Sequence, residues 1–163
     1  MSRPIEAHIN LSALQHNLAQ TKALVGHSRI WAVIKANGYG HGLLRVAKAL
    51  NTADGFAVAS VEEALQLRQA GFLHPILLLE GLFDASELSL VVQHRLDLVV
   101  HSHHQVDWLL AKSIKVPLHL WLKLDTGMHR LGFNQEGLHQ AIFRLIHHAP
   151  HFKCHLMSHL ACA

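Results

Sequence analysis

Short, continuously apolar runs alternate along the chain with segments of helical periodicity, and this rhythm limits the possible folds more than any other feature. The runs cover residues 30–35, 55–59, 76–80, 97–100, 117–124 and 152–158. They are apolar throughout rather than at every second position, the pattern of parallel strands buried on both faces. The intervening segments carry helix start signals. Ser60 with Glu63, Asp84 with Glu87 and Ser102 with Gln105 each read as a capping box, in which the first side chain caps the helix and the second reaches back. Gly71 ends one helix and Pro75 prevents its continuation into the next strand. A further helix is predicted over residues 11–25 with Asn10 as its cap, preceded by an alternating stretch at 5–9 that reads as a half-buried strand.

Strand followed by helix, repeated, means βα units around a parallel sheet. Six predicted strands fall short of the eight, and roughly 250 residues, of a closed (β/α)8 barrel. Two architectures fit the count: an open α/β sheet, or a TIM-type barrel cut short. Either is compatible with a composition that is 50% hydrophobic and 15% charged, well inside the range of folded chains. The net charge of +3 is mild and no Lys/Arg block occurs, which argues against a nucleic-acid partner. No run approaches the ~18 apolar residues of a membrane span, and residues 1–6 are polar, unlike a signal peptide. The expected compartment is the cytoplasm. Cys154 and Cys162 form no disulfide framework. The 17 histidines include clusters at 101–104 and 147–151, but no HExxH or Cys/His spacing accompanies them. They are expected as surface histidines at helix ends, with no metal bound.

In such folds functional groups gather at the C-terminal ends of the strands, and three positions there carry candidate chemistry. Lys35 ends an apolar run and precedes Ala36-Asn37-Gly38-Tyr39-Gly40-His41-Gly42. A lysine partly withdrawn from water is a better nucleophile toward an aldehyde, and the glycines let the backbone approach a ligand closely. The alternative is a lysine snorkelling out of a strand end. Lys123 opens a second strand-to-loop segment, in which Arg130 offers planar donors suited to a carboxylate or phenolate oxygen; ordinary loop charges would read the same way. His159, just beyond the last strand, carries little weight by itself.

Together these segments are similar to the alanine racemase family over nearly the whole chain. AVIKANGYGHG at 32–42 resembles its cofactor-lysine motif, LKLDTGMHRLGF at 122–133 its second signature and LMSHLACA at 156–163 its third. LLLEGLFDASEL at 77–88 also fits, and the likeness is strongest to racemases of Gram-negative bacteria. The resemblance selects the second architecture: a pyridoxal 5'-phosphate (PLP)-binding (β/α)8 TIM-type barrel, incomplete here at about six of eight strands, without the C-terminal β-domain. Residues 1–10 are then expected as an N-terminal strand available to that domain, and 11–163 as the partial barrel. Lys35 is implied as the lysine that binds PLP and moves the α-proton on the D-alanine face. Tyr39 is implied at the cofactor phosphate, and Arg130 at the PLP phenolic oxygen and the substrate carboxylate. Lys123 takes the position that carries a carbamate in many members, and His159 lies under the cofactor.

Racemisation needs two bases on opposite faces of the α-carbon, and PLP to delocalise the carbanion between them. In this family the second base is a tyrosine from the partner subunit's C-terminal domain, whereas Tyr39 is the single tyrosine here. The sequence is therefore expected to be an N-terminal portion of an isomerase that interconverts L- and D-alanine as a homodimer. Such an enzyme supplies D-alanine for peptidoglycan or feeds alanine breakdown. The competing expectation is a non-catalytic PLP-binding barrel fragment. A fold-related decarboxylase or broad-specificity racemase fits the signatures less well. Gly38, where alanine is frequent, and Leu160-Ala161-Cys162 depart from the family pattern.

Overall fold

The computed structural model describes residues 4–161. Its sheet has six strands, ordered β1 to β6 as in the sequence, and every neighbouring pair is parallel. The strands are β1 (Trp31–Val33), β2 (Gly55–Val58), β3 (Ile76–Leu78), β4 (Asp97–Val100), β5 (His119–Lys123) and β6 (Lys153–Met157). The helices are α1 (Leu11–Val25), the short turn α2 (Lys35–Tyr39), α3 (Leu43–Ala49), α4 (Val61–Gln69), α5 (Leu88–His94), α6 (His103–Ala111) and α7 (Gln135–His148). A 3-10 turn, Ala85–Glu87, leads into α5.

Because strand side chains alternate, each strand serves two cores. Phe56, Val58, Ile76, Leu78, Leu98, Val100, Leu120 and Leu122 meet the helices in the larger one. Ala57, Leu77 and Val99 face the opposite way, with Trp31, Leu79, Trp121 and Met157 packed beside them. This inner face shows that the sheet is rolled. Trp31 on β1 and Trp121 on β5 lie four strand spacings apart, about 19 Å in a flat sheet, yet their ring centroids are 5.5 Å apart. The strands curl into a trough lined by these indoles, as the partial-barrel expectation requires. A cavity of about 750 Å³ occupies the trough, with Arg29, Asp97, His119 and His155 among its lining residues.

The element order agrees with the sequence-based expectation, and the differences are local. The first strand stops at Val33 rather than Lys35, because Ile34 (φ −128°, ψ 22°) leaves the extended conformation and the backbone turns left-handed from Ala36. Residues 4–10, expected to belong to a strand, have no regular structure; among the described residues no neighbouring strand offers them a ladder. The remainder of that stretch, 1–3, lies outside the described residues, as does Cys162. Asn10 caps α1, accepting from Ala13 N at 3.0 Å. Of the three capping boxes, only Asp84/Glu87 forms as such. Ser60 and Ser102 make no side-chain cap bond, and Glu63 and Gln105 accept instead from backbone N–H groups at the strand ends.

Candidate active site

Parallel strands finish at one edge of a sheet, so side chains that follow their ends converge there. Lys35 follows β1, Glu80 follows β3 and Lys123 ends β5. Ile34 N donates to Ala57 O at 2.9 Å, the last hold before the chain leaves the sheet. Ala36, Asn37, Gly38 and Tyr39 then take φ of 53°, 54°, 62° and 54°, forming one left-handed turn. Each non-glycine residue in that conformation costs about 1 kcal/mol, so neighbouring groups must hold it. Gly38 N donates to Ile34 O at 2.8 Å and Gly42 N to Asn37 O at 2.8 Å. Asn37 Oδ1 accepts from Leu43 N at 2.8 Å. The Glu63 carboxylate accepts from Asn37 N at 2.9 Å and from Ala59 N at 3.0 Å, tying the turn to the end of β2. Lys35 is thereby half-buried, and Tyr39 exposed, on a backbone fixed at both ends.

The loop between β5 and α7 is organised by Asp125. Its carboxylate accepts from Gly127 N and His129 N, each at 3.0 Å, and faces His129 Nδ1 at 2.9 Å. The two backbone N–H groups are the main reason its carboxyl is held down to about 2. Phe133 N closes the loop onto Lys123 O at 2.8 Å, and Asp125 N onto Phe133 O at 2.8 Å. Gly132 is required there: at φ +131° a Cβ would lie 2.7 Å from Asp125 N. Arg130 leaves this loop exposed to solvent. Thr126 and Ser158 hydroxyls meet at 2.6 Å, joining the loop to the segment that carries His159.

Lys123 is buried, and burial pushes its ammonium below the usual lysine range. Repulsion from Arg130 and then from Lys35 adds to this, while Asp125 and Glu80 oppose it. Lys35 Nζ lies 3.8 Å from Glu80 Oε1. The structure thus brings Lys35, Lys123 and Arg130 into one electrostatic cluster. Tyr39 and His159 are exposed at the same edge, and among the described residues no hydrogen bond or ion pair joins either to Lys35. Chemically, the cluster offers a primary amine for an aldehyde and a guanidinium for anionic groups, and Tyr39 adds a phenol at the same edge.

Sequence reasoning passed over Glu80, although its place at a strand's C-terminal end was a usable signal. It read Gln105 only as a capping partner of Ser102, whereas the buried amide donates to Glu80 O at 3.2 Å and Leu82 O at 3.1 Å. His101 corrects the expectation of surface histidines: it is half-buried, its Nε2 lies 3.1 Å from Glu80 O, and burial pushes its imidazolium down. His103, His104, His147, His148 and His151 are exposed as expected.

Comparison with known proteins converges on one family. The model of the alanine racemase N-terminal domain matches residues 9–163. Alanine racemase of Nitrosomonas europaea is 49% identical over 163 residues, covering 100% of this chain and 45% of that protein. Its counterpart in Chromohalobacter salexigens is 51% identical over 165 positions, with the same 100% and 45% coverage. Among solved structures, the biosynthetic alanine racemase of Pseudomonas aeruginosa superposes with a TM-score of 0.88 at 47% identity, over 93% of this chain and 43% of that one. The alanine racemase of Acinetobacter baumannii gives 0.84 at 36% identity, over 94% and 44%. This chain spans less than half the length of these relatives. The chain belongs to the alanine racemase family.

Proposed function

We propose that this chain is the cofactor-carrying N-terminal portion of a PLP-dependent alanine racemase, with Lys35 as the residue that holds PLP. The observation that carries this reading is the half-buried Lys35 amine at the strand edge, 3.8 Å from Glu80 Oε1, beside a buried Lys123 that feels both Lys35 and Arg130. The donor set suits a phosphorylated aldehyde. When PLP is bound, Lys35 would hold its aldehyde, the Tyr39 hydroxyl would donate to its phosphate, Arg130 would serve its phenolic oxygen and the substrate carboxylate, and His159 would help hold it. PLP, when bound, supplies the electron sink for the pair left as the α-proton departs.

Lys35 Nζ would take or return the α-proton on the D-alanine face. The depressed pKa of Lys123 favours the neutral amine that reacts with carbon dioxide; a carbamate there changes a repelling neighbour of Arg130 into an orienting anion. Inversion needs a second base on the opposite face, and the only tyrosine of this chain, Tyr39, is engaged at the phosphate. We assign the second base to the partner subunit of a cytoplasmic homodimer, and residues 1–10 to pairing with its C-terminal domain. By itself this chain is then a PLP-binding barrel that moves a proton on one face only. The test is α-hydrogen exchange in deuterated water, followed by proton NMR on D- and L-alanine. The PLP-loaded chain exchanges D-alanine without inverting it, and Lys35→Ala reduces that exchange at least tenfold. Equal exchange by Lys35→Ala contradicts the assignment.

A further inference from the structure

Two sets of hydrogen bonds hold the backbone that carries Lys35, one within the loop and one that leaves it. Within the loop, Gly38 N donates to Ile34 O, Gly40 N to Ala36 O and Gly42 N to Asn37 O, while Asn37 Oδ1 accepts from Leu43 N. These bonds join residues 34–43 to one another. They set the shape of the turn and leave open how it sits on the barrel mouth. Among the described residues, the hydrogen bond that ties residues 35–42 to another βα unit runs from Asn37 N to Glu63 Oε1, at 2.9 Å.

The second oxygen of that carboxylate is equally committed. Glu63 Oε2 accepts from Ala59 N at 3.0 Å, directly after β2, the strand that pairs with β1. Two N–H donors from two βα units need two acceptor atoms on one group, which a carboxylate offers and an amide does not. Lys35 precedes the left-handed turn and Tyr39 closes it. Whatever fixes Asn37 between them therefore sets where the amine and the phenol stand together.

We propose that Glu63 is a positioning residue that gives the site its preference for a phosphorylated aldehyde, by clamping the turn so that Lys35 and Tyr39 reach opposite ends of one ligand. The inference rests on the reading of Lys35 as the cofactor lysine and of Tyr39 as the phosphate donor. At Lys35 one C=N bond forms between Nζ and the aldehyde carbon and one water leaves; the phosphate takes no part in that bond. It helps only if the phenol is already in place when the bond forms. Without the Glu63 carboxylate the turn keeps its internal bonds but shifts as a body. The amine still reacts, and the phosphate loses its partner.

The test is run on the 163-residue chain as wild type, Glu63→Gln, Tyr39→Phe and the double variant. Each is incubated with PLP or with pyridoxal, which carries the same aldehyde and no phosphate. Borohydride then delivers hydride to the C=N carbon, and peptide mapping reads label on Lys35 against the exposed Lys48 as internal standard. The expected result is a PLP-over-pyridoxal preference at Lys35 that falls about three- to tenfold in Glu63→Gln, with no further fall when Tyr39→Phe is added. Melting curves verify folding, and Glu63→Asp, one methylene too short to span both donors, gives the same fall should the amide variant not fold. A cofactor-free arm follows amide exchange by NMR: Asn37 and Ala59 lose protection in Glu63→Gln, while Gly38 and Gly42, bonded within the loop, keep theirs. A wild type without the preference, an undiminished preference in the Glu63 variants, a full further loss on adding Tyr39→Phe, or retained protection at Asn37 overturns the proposal. Wild-type label that avoids Lys35 altogether removes the cofactor reading, and the proposal with it, while label on Lys35 with an undiminished preference removes the proposal alone.

Discussion

Lys123 is a charge placed where charge is disfavoured, and its linkage to pH follows directly. Burial lowers its pKa in the folded chain, so the ammonium form destabilises the fold relative to the unfolded chain, where the group is hydrated. The penalty is fully present below the folded pKa and disappears as pH rises toward the ordinary lysine value. Lys123→Met, which keeps the apolar stem and removes the charge, is therefore more stable than wild type at pH 7. The gap closes as pH rises toward the ordinary lysine range, as read from urea midpoints across a pH series. A gap independent of pH would mean the substitution acts through packing alone. Asp125 has the opposite sign: its carboxyl, held down to about 2, favours the folded loop above its unfolded value and ceases to do so as pH falls through 2.

At the scale of elements, the decisive piece is the left-handed turn after β1. Its φ values cost conformational energy that the Glu63 carboxylate offsets through two charged hydrogen bonds. Glu63→Ala should cost about 2 kcal/mol, the range for bonds of this kind, measured by chemical denaturation; a loss under about 0.5 kcal/mol would show that the turn is held by its glycines and Asn37. This turn also marks where the sequence stops being legible. Strand order and helix positions are readable because burial on two faces leaves continuous apolar runs, and α1 begins and ends where periodicity puts it. The partners of Glu63 and Gln105 are not readable, since a capping-box spacing is the same whether the acid or amide turns back on its own helix or reaches a neighbouring strand. Lys35, Lys123 and Arg130 are legible as types at strand ends. Glu80 is hidden because a single glutamate after an apolar run is usually a solvated strand terminus.

Over the whole molecule, six parallel strands roll far enough for Trp31 to meet Trp121, and that curvature puts Lys35 and Lys123 at one mouth rather than on a flat edge. The rolled form cannot be read from apolar runs, which are alike in open sheets and barrels; it depends on which inner side chains meet across the trough. The outer face of β6 carries an exposed Leu156 and Cys154, unlike β2, β3 and β4, whose outer residues are covered. Among the described residues, then, β1 and β6 are the two edges of the sheet, and the outer face of β6 is uncovered. No described helix is long and apolar enough to cross a membrane. The central claim is that this wall already contains a working cofactor lysine. Titration of the 163-residue chain with PLP, followed by borohydride reduction and peptide mapping, tests it most directly. The account predicts one label per chain, on Lys35, saturating with PLP; label spread over exposed lysines in proportion to their accessibility, with none concentrated on Lys35, would contradict it.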